Sequence, residues 1–479
     1  RSTAEEAKDA DNCILKINTI MAESYHVLFK YFVRPTLAVS TTINRLILTY
    51  PNTYTPYHRE VLKRIAKQVF PQLRELEFVC ESDAVAAYYM RHWKEYHMDV
   101  SKLKQSQGEN VLVYDMGAGT LDLTFFRQKW NSDTCKHELE ILGKIGIGKA
   151  GNYIDTVIAE IICKKLKIDS TISSVLIKGD GDTYSQRTCL KQVIKQKIKI
   201  ALSNCSPQKI TFTLQKTGGN TYNINTTDIL EDEAFIECLN DCTIKVIENL
   251  RKYIGMKRPI IHTVIMSGRS CKLVPLQHKL EDAVRDCCRD GVDPEFITLD
   301  KPINFQGEMI ADRQKTVVVE GAEIMAKEIK HAESNIKIKS HRLYATYGVI
   351  YTNTEGEKDY VELLNHQDSP YTDASSNDFN SDIKAIVIYP NSNIQLIQTY
   401  LSDSDTLKAF KTHDYEYITL MESYNTEEFG THLRLRVKIN ELNNVTLMVN
   451  SCYSSGMPPK GMDLKNPINR KSLWPVVFN

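Results

Sequence analysis

Eight consecutive residues, Asp115-Met-Gly-Ala-Gly-Thr-Leu-Asp122, gather the side chains best able to do chemistry in this 479-residue chain. Gly117 and Gly119, with Ala118 between them, let a backbone turn tightly and present its amides to a phosphate. Asp115, Thr120 and Asp122 supply hard oxygen atoms where a magnesium ion and its water would sit. A nucleotide phosphate loop is one reading. A glycine hairpin with two capping aspartates is the other, because short glycine motifs are weak signals. Lys191, Lys195, Lys197 and Lys199 make a second charged cluster, but Val193, Ile194, Ile198 and Leu202 lie opposite, so the solvated side of an amphipathic helix is the simpler account. Cys238 and Cys242 share a helix face without a histidine or second cysteine pair at zinc spacing, so no metal is assigned to cysteine.

The elements that must position the loop follow from periodicity. Charged residues give way to apolar ones at helical spacing from Ala4 to Val33, predicting one long helix. Leu46–Tyr50 reads as a strand closed by Pro51, and Thr55-Pro56 as the start of a helix. Leu76–Glu81 repeats the strand, with Ser82 expected to cap a helix running to about Tyr96. Val111–Tyr114 and Leu121–Phe126 flank the glycine loop as strands; Leu190–Leu202 is a helix; Ile261–Met266 is a buried strand before a helix carrying Leu276 and Leu280. Alternating strands and helices predict an α/β region to about Ala332. Beyond it the period changes to two, most clearly in His432–Ile439, and strands are expected at 347–352, 359–364, 384–389, 394–401 and 415–421. Val445, Leu447 and Val449 repeat the spacing and complete a hairpin.

Composition excludes several function classes. With 60 basic and 60 acidic residues the formal charge is zero, so no overall field draws the chain to nucleic acid or an anionic membrane. Twelve scattered cysteines suggest reduced thiols, and with no long apolar run or signal-like start the expectation is a soluble cytoplasmic protein.

Taken in order, these segments resemble the seventy-kilodalton heat-shock chaperones over most of the chain. Leu46-Ile-Leu-Thr-Tyr-Pro51 through Arg59 is similar to that family's strand with a switch proline and its partner arginine, which makes Pro51 and Arg59 candidate allosteric residues. Val79-Cys-Glu-Ser-Asp-Ala-Val-Ala-Ala87 places Glu81 at the catalytic glutamate. Asp115–Asp122 resembles the second phosphate loop, implying metal contact by Asp115 and Asp122 and catalytic roles for Thr120 and Asp122. Gly148-Lys-Ala-Gly151 with Asp155 is similar to the next glycine element, Lys199 and Ser203 fall on adenosine-contacting positions, and Val264-Ile-Met-Ser-Gly268 with Pro275 resembles the adenosine motif. Gly117, Ala118, Gly119, Gly151, Lys199, Ser203 and Gly268 are thereby implied as cofactor-binding. The implied fold is an actin-like ATPase with ribonuclease H-like lobes, its first strands and first phosphate loop expected upstream of Arg1, followed by an all-β sandwich. The resemblance divides the chain into the remainder of a first lobe (1–145), a second lobe (146–334), a linker (335–340), a substrate-binding-like sandwich (341–455) and an irregular tail (456–479). ATP or ADP with magnesium is the implied cofactor, and a peptide or protein client, with co-chaperones, the implied partner.

The departures define the rivals. Ala118 replaces a loop glycine; Cys80, Ser82 and Asp83 replace the neighbours of the glutamate; Asn152 replaces an acid, and Gln196 and Ile200 replace a glutamate that meets the ribose and an arginine that stacks on adenine in the family. These substitutions suit a non-catalytic actin-like binding scaffold. Ser-Gly-Arg-Ser at 267–270 resembles the virulence-associated SrfB group of actin-like proteins. A polymerising cytoskeletal ATPase is disfavoured by the appended β region.

Overall fold

A computed structural model of the chain describes residues 23–24, 26–27, 31, 43–54, 56–92, 108–131, 136–168, 190–204, 207–213, 221–254, 258–289, 291–299, 303–305, 308–310, 313–330, 336–339, 345–365, 379–414, 417–426, 430–439 and 445–451. Most of the helix expected from Ala4 to Val33, the cap expected at Thr55 and the tail from residue 456 lie outside the described residues. The chain divides into two units. The first holds Arg1–Cys80, Leu139–Ile145 and Ala322–Asn479, the second Glu81–Glu138 and Gly146–Gly321.

In the first unit, strands Arg45–Tyr50 (β1) and Glu75–Cys80 (β2) run parallel in register from Arg45↔Glu75 to Tyr50↔Cys80. Parallel neighbours need a crossover, supplied by the helix Pro56–Val69 (α1), whose Leu62, Ile65, Ala66 and Val69 are buried at helical spacing. Arg45 fixes the pair by donating to Glu77 at 2.7 Å and to the Ala326 carbonyl at 3.1 Å.

The second unit opens with the helix Glu81–Arg91 (α2), in which Ala84 to Met90 are all buried. Ser82 lies inside this helix rather than capping it, because its hydroxyl is drawn inward to accept a 2.7 Å bond from Thr124. Glu109–Met116 (β3) and Leu121–Asn131 (β4) form an antiparallel hairpin in which Asp115 faces Asp122. Lys136–Ile147 (β5), missed in the sequence, is the strand through which the division into units passes. Gly151–Lys165 (α3), the π-turn Ile194–Ile198 leading into Lys199–Leu202 (α4), Glu233–Cys242 (α5) and Ile244–Tyr253 (α6) follow. Thr263–Ser267 (β6) then lies parallel to β3, placing Ser267 beside Asp115. After the 3₁₀ turn Arg269–Lys272 and the helix Val274–Cys287 (α7), Glu295–Thr298 (β7) adds parallel to β6. Every residue from Val111 to Met116 and from Thr263 to Ser267 is buried, as expected for strands covered on both faces. At the opposite end of β3, buried Glu109 accepts from Tyr89 at 3.1 Å and also from Gln128 and Thr263. Those bonds tie α2, β4 and β6 together and satisfy a charge that would otherwise be costly to bury.

The rest of the first unit is β-rich. Ile336–Lys339 (β8), expected as a linker, is a strand next to β5 in sheet order. Its alternating Ile-Lys-Ile-Lys pattern already fits a strand with two unlike faces. One antiparallel sheet has the order Lys358–Leu364 (β10), Thr346–Thr352 (β9), Asn393–Thr399 (β12), Ile418–Asn425 (β13), and a second joins Lys384–Val387 (β11), His432–Ile439 (β14) and Val445–Ser451 (β15). The helix Asp403–Thr412 (α8), unforeseen in the sequence, is capped by Ser402, which accepts from the Asp405 amide, and ends on left-handed His413. Its Ala409 and Phe410 pack against Ile350, Ile397 and Ile418. The hairpin of β14 and β15 pairs from Ile439↔Val445 to Leu433↔Ser451, with Leu433, Leu435, Val437, Leu447 and Val449 buried on one face.

Candidate functional site

In open α/β sheets the loops leaving the carboxyl ends of parallel strands flank the crevice where ligands bind. Here β3 and β6 end side by side, so the loop 117–120 and the turn 268–272 emerge together. Gly117 N–H donates to the Thr120 carbonyl at 2.9 Å and closes the loop. The start of α3 is bound to the same loop: Gly151 N–H donates to Gly117 O at 3.1 Å and Asn152 N–H to Ala118 O at 2.7 Å. Ser270 Oγ adds a 2.8 Å bond to Gly117 O. Three segments far apart in sequence therefore meet on one carbonyl and its neighbour.

Two glycines make that meeting possible. A Cβ on Gly151 would stand 2.3 Å from Ser270 Oγ and 2.9 Å from Gly117 O. Gly268 has φ +83, and a Cβ there would stand 2.3 Å from Met116 O. Both are demanded by backbone approach before any ligand is considered. Gly119 differs: it is exposed and a Cβ would meet nothing. Among the described residues, the amides of Ala118, Gly119 and Thr120 donate to no carbonyl of the chain, which leaves three successive donors for an anion.

Beneath the loop lie the carboxylates. Asp115 and Asp122 are directly opposite in an antiparallel pair and so share a sheet face; they are 5% and 1% exposed. Burial, with Glu81 beside it, pushes the Asp115 carboxyl up to about 7, against the opposing pull of the Ser267 hydroxyl. Two neighbouring buried acids of which one resists ionisation suit a divalent cation, whose charge would reverse that resistance. Among the described residues no group of three or more His, Cys, Asp or Glu side chains is gathered to hold a metal. Asp115 and Asp122 are the two carboxylates that the resemblance assigns to magnesium, and an ion held by only two such groups would need water to complete its shell.

The positions implied as nucleoside contacts are occupied within the chain. Lys199 Nζ pairs with buried Asp155 at 2.5 Å and donates to Gly151 O at 3.2 Å, while Lys195 lies 3.7 Å from the same carboxylate. Ser203 Oγ donates to Lys199 O at 3.0 Å and accepts from the Val274 amide at 3.3 Å. Ile200 between them is exposed. In the first unit, Arg59 rests over the Tyr50 ring at 5.0 Å and donates to its hydroxyl at 3.1 Å, one residue from buried Pro51.

Sequence reasoning missed two contributors. Ser270 was noted only within its Ser-Gly-Arg-Ser run, and its bond to Gly117 has no signal before the fold is known. Asp241, 4% exposed, receives Lys149 at 3.1 Å, Tyr153 at 2.9 Å and Lys245 at 2.6 Å, which holds its carboxyl below the usual range and anchors the approach to α3. Cys238 and Cys242 are both buried, as a packed pair should be, and no described helix is long and apolar enough to cross a membrane. Compared with known protein families, the chain matches none.

Proposed function

We propose that the chain is a divergent relative of the seventy-kilodalton heat-shock chaperones: an actin-like region that binds ATP or ADP with magnesium, joined to a sandwich that takes peptide or protein clients. One observation carries this reading. Segments 115–122 and 148–151, named from separate motif resemblances, converge, beside the turn that follows Gly268, on a single loop whose Ala118, Gly119 and Thr120 amides donate to no backbone carbonyl among the described residues. In this reading those amides hold phosphate, Asp115 and Asp122 hold magnesium through its water, and Glu81 orients the attacking water. Calorimetric titration of the full-length protein with ATP, with and without magnesium, tests it. Magnesium-dependent binding is expected; no heat and no thermal shift with ATP, ADP or GTP overturns it.

A second reading, a scaffold that keeps the fold without turnover, is favoured by the internal bonds of Lys199 and Ser203. Phosphate release by wild type and Glu81→Gln separates the two. Loss of turnover with binding retained supports catalysis through Glu81, and binding without turnover in both supports the scaffold.

A further inference from the structure

Arg269 stands between the two residues that seat the turn 268–272 against the loop. Gly268 lies so close to β3 that a Cβ on it would stand 2.9 Å from Asp115 Oδ1 as well as 2.3 Å from Met116 O. Ser270, on the other side, holds Gly117 O through its hydroxyl at 2.8 Å. Neighbouring Cα atoms are about 3.8 Å apart, so that bond keeps the Arg269 Cα within about 9 Å of Gly117 O. An arginine side chain is long enough to bring its head from there to an anion on the amides of 118–120. Arg269 is exposed, and among the described residues it makes no hydrogen bond and no ion pair. The other basic side chains around the loop are engaged within the chain. Lys149 pairs with Asp241 at 3.1 Å, Lys199 with Asp155 at 2.5 Å, Lys195 lies 3.7 Å from that same carboxylate, and Lys272 has an interaction of its own.

We infer that Arg269 is the cationic contact for the ligand: it pairs with a phosphate next to the one on the amides of 118–120, so the site selects anions with two or more linked phosphates. The inference rests on the nucleotide reading and names the part of the nucleotide that is selected. One phosphate can sit on three successive amides alone. A second adds negative charge close to Asp115, Asp122 and Glu81, whose carboxyl groups already crowd the foot of the loop. Arg269 offsets that charge from the turn. Its guanidinium stays charged at any working pH and presents a planar fork of donors that matches two phosphate oxygens.

The test titrates the full chain calorimetrically with ATP, ADP and AMP in magnesium at about 0.15 M salt. Wild type should bind ATP and ADP about tenfold or more tightly than AMP, and Arg269→Ala should remove most of that preference. The urea midpoint of the variant should match wild type, because an exposed side chain without partners carries no packing. Arg269→Lys keeps the charge but loses the fork, and should recover part of the affinity. ATP binding by Arg269→Ala as tight as by wild type overturns the inference and leaves the nucleotide reading standing, as does wild-type binding of AMP as tight as of ADP. A lowered urea midpoint with all three nucleotides weakened alike would show a structural arginine and overturn it too. No binding of any nucleotide by wild type overturns both.

Discussion

Replacing Asp115 with asparagine removes a carboxyl that burial and Glu81 hold up at about 7 from an ordinary 3.8. A folded value above the unfolded one means that the stability is fully present below the unfolded value and is lost as pH rises through the folded one. Between about pH 4 and about pH 7 this group should cost wild type about 1.4 kcal/mol per pH unit, on the order of 4 kcal/mol in all. An amide at this position cannot ionise, so the variant lacks that slope. Urea unfolding at fixed ionic strength across this range reads the difference. Slope rather than absolute stability is diagnostic, since an amide and a carboxyl hydrogen-bond differently at every pH. The variant should gain on wild type as pH rises and the gap should level off above about pH 7; parallel curves refute the argument. Glu81→Gln should shift the levelling point to lower pH by removing the second cause. A cation seated at Asp115 must displace its proton, so magnesium-ATP binding slightly below neutrality should release protons, seen as a dependence of the binding heat on the buffer's ionisation enthalpy.

Gly268→Ala meets both a positive φ and the Met116 carbonyl, so a loss of roughly 3 kcal/mol or more is expected in urea unfolding, and an unchanged midpoint would contradict the close approach. Lys199→Met strands the buried Asp155 carboxylate and should cost roughly 3–5 kcal/mol, largely restored in the double variant with Asp155→Asn; no restoration would mean that the pair is not the cause. Leu435→Ala empties a fully buried position on β14 and should cost roughly 2–5 kcal/mol, read as a lowered thermal midpoint.

The sequence made legible what depends on local pattern. The strict alternation of His432–Ile439 predicts which side chains are buried before any fold is known, and β14 buries Leu433, Leu435 and Val437 of that set. Pro51, Pro56 and the apolar run 46–50 likewise mark β1 and α1. What was not legible depends on partners distant in sequence. Ser82 has the type and place of a cap, yet Thr124, forty-two residues on, draws it inward. The segment 335–339 alternates like a strand, but only a neighbouring strand tells a strand from a linker. Lys199 was read as a ligand contact by resemblance, and Asp155 claims it because burial leaves that carboxylate needing a cation.

Resemblance treats Gly119, Gly151 and Gly268 alike, as glycines around a phosphate, whereas their surroundings separate them. Gly151 and Gly268 are needed for three backbone segments to touch, so their presence follows from packing whether or not a nucleotide binds. Gly119 is exposed, and a Cβ there meets nothing, so packing gives no reason for glycine at that position. A paired comparison isolates the functional component. Gly151→Ala forces a Cβ against Ser270 Oγ and Gly117 O, so it should lower the unfolding midpoint and weaken ATP binding together. Gly119→Val leaves the packed junction intact and should hold stability within about 0.5 kcal/mol, the usual range for surface substitutions. If the amides of 118–120 cradle phosphate, its branched side chain crowds the incoming oxygens and ATP binding falls by about tenfold or more. A Gly119→Val protein that is as stable as wild type and binds ATP equally well would show that the loop turns the chain and holds no phosphate.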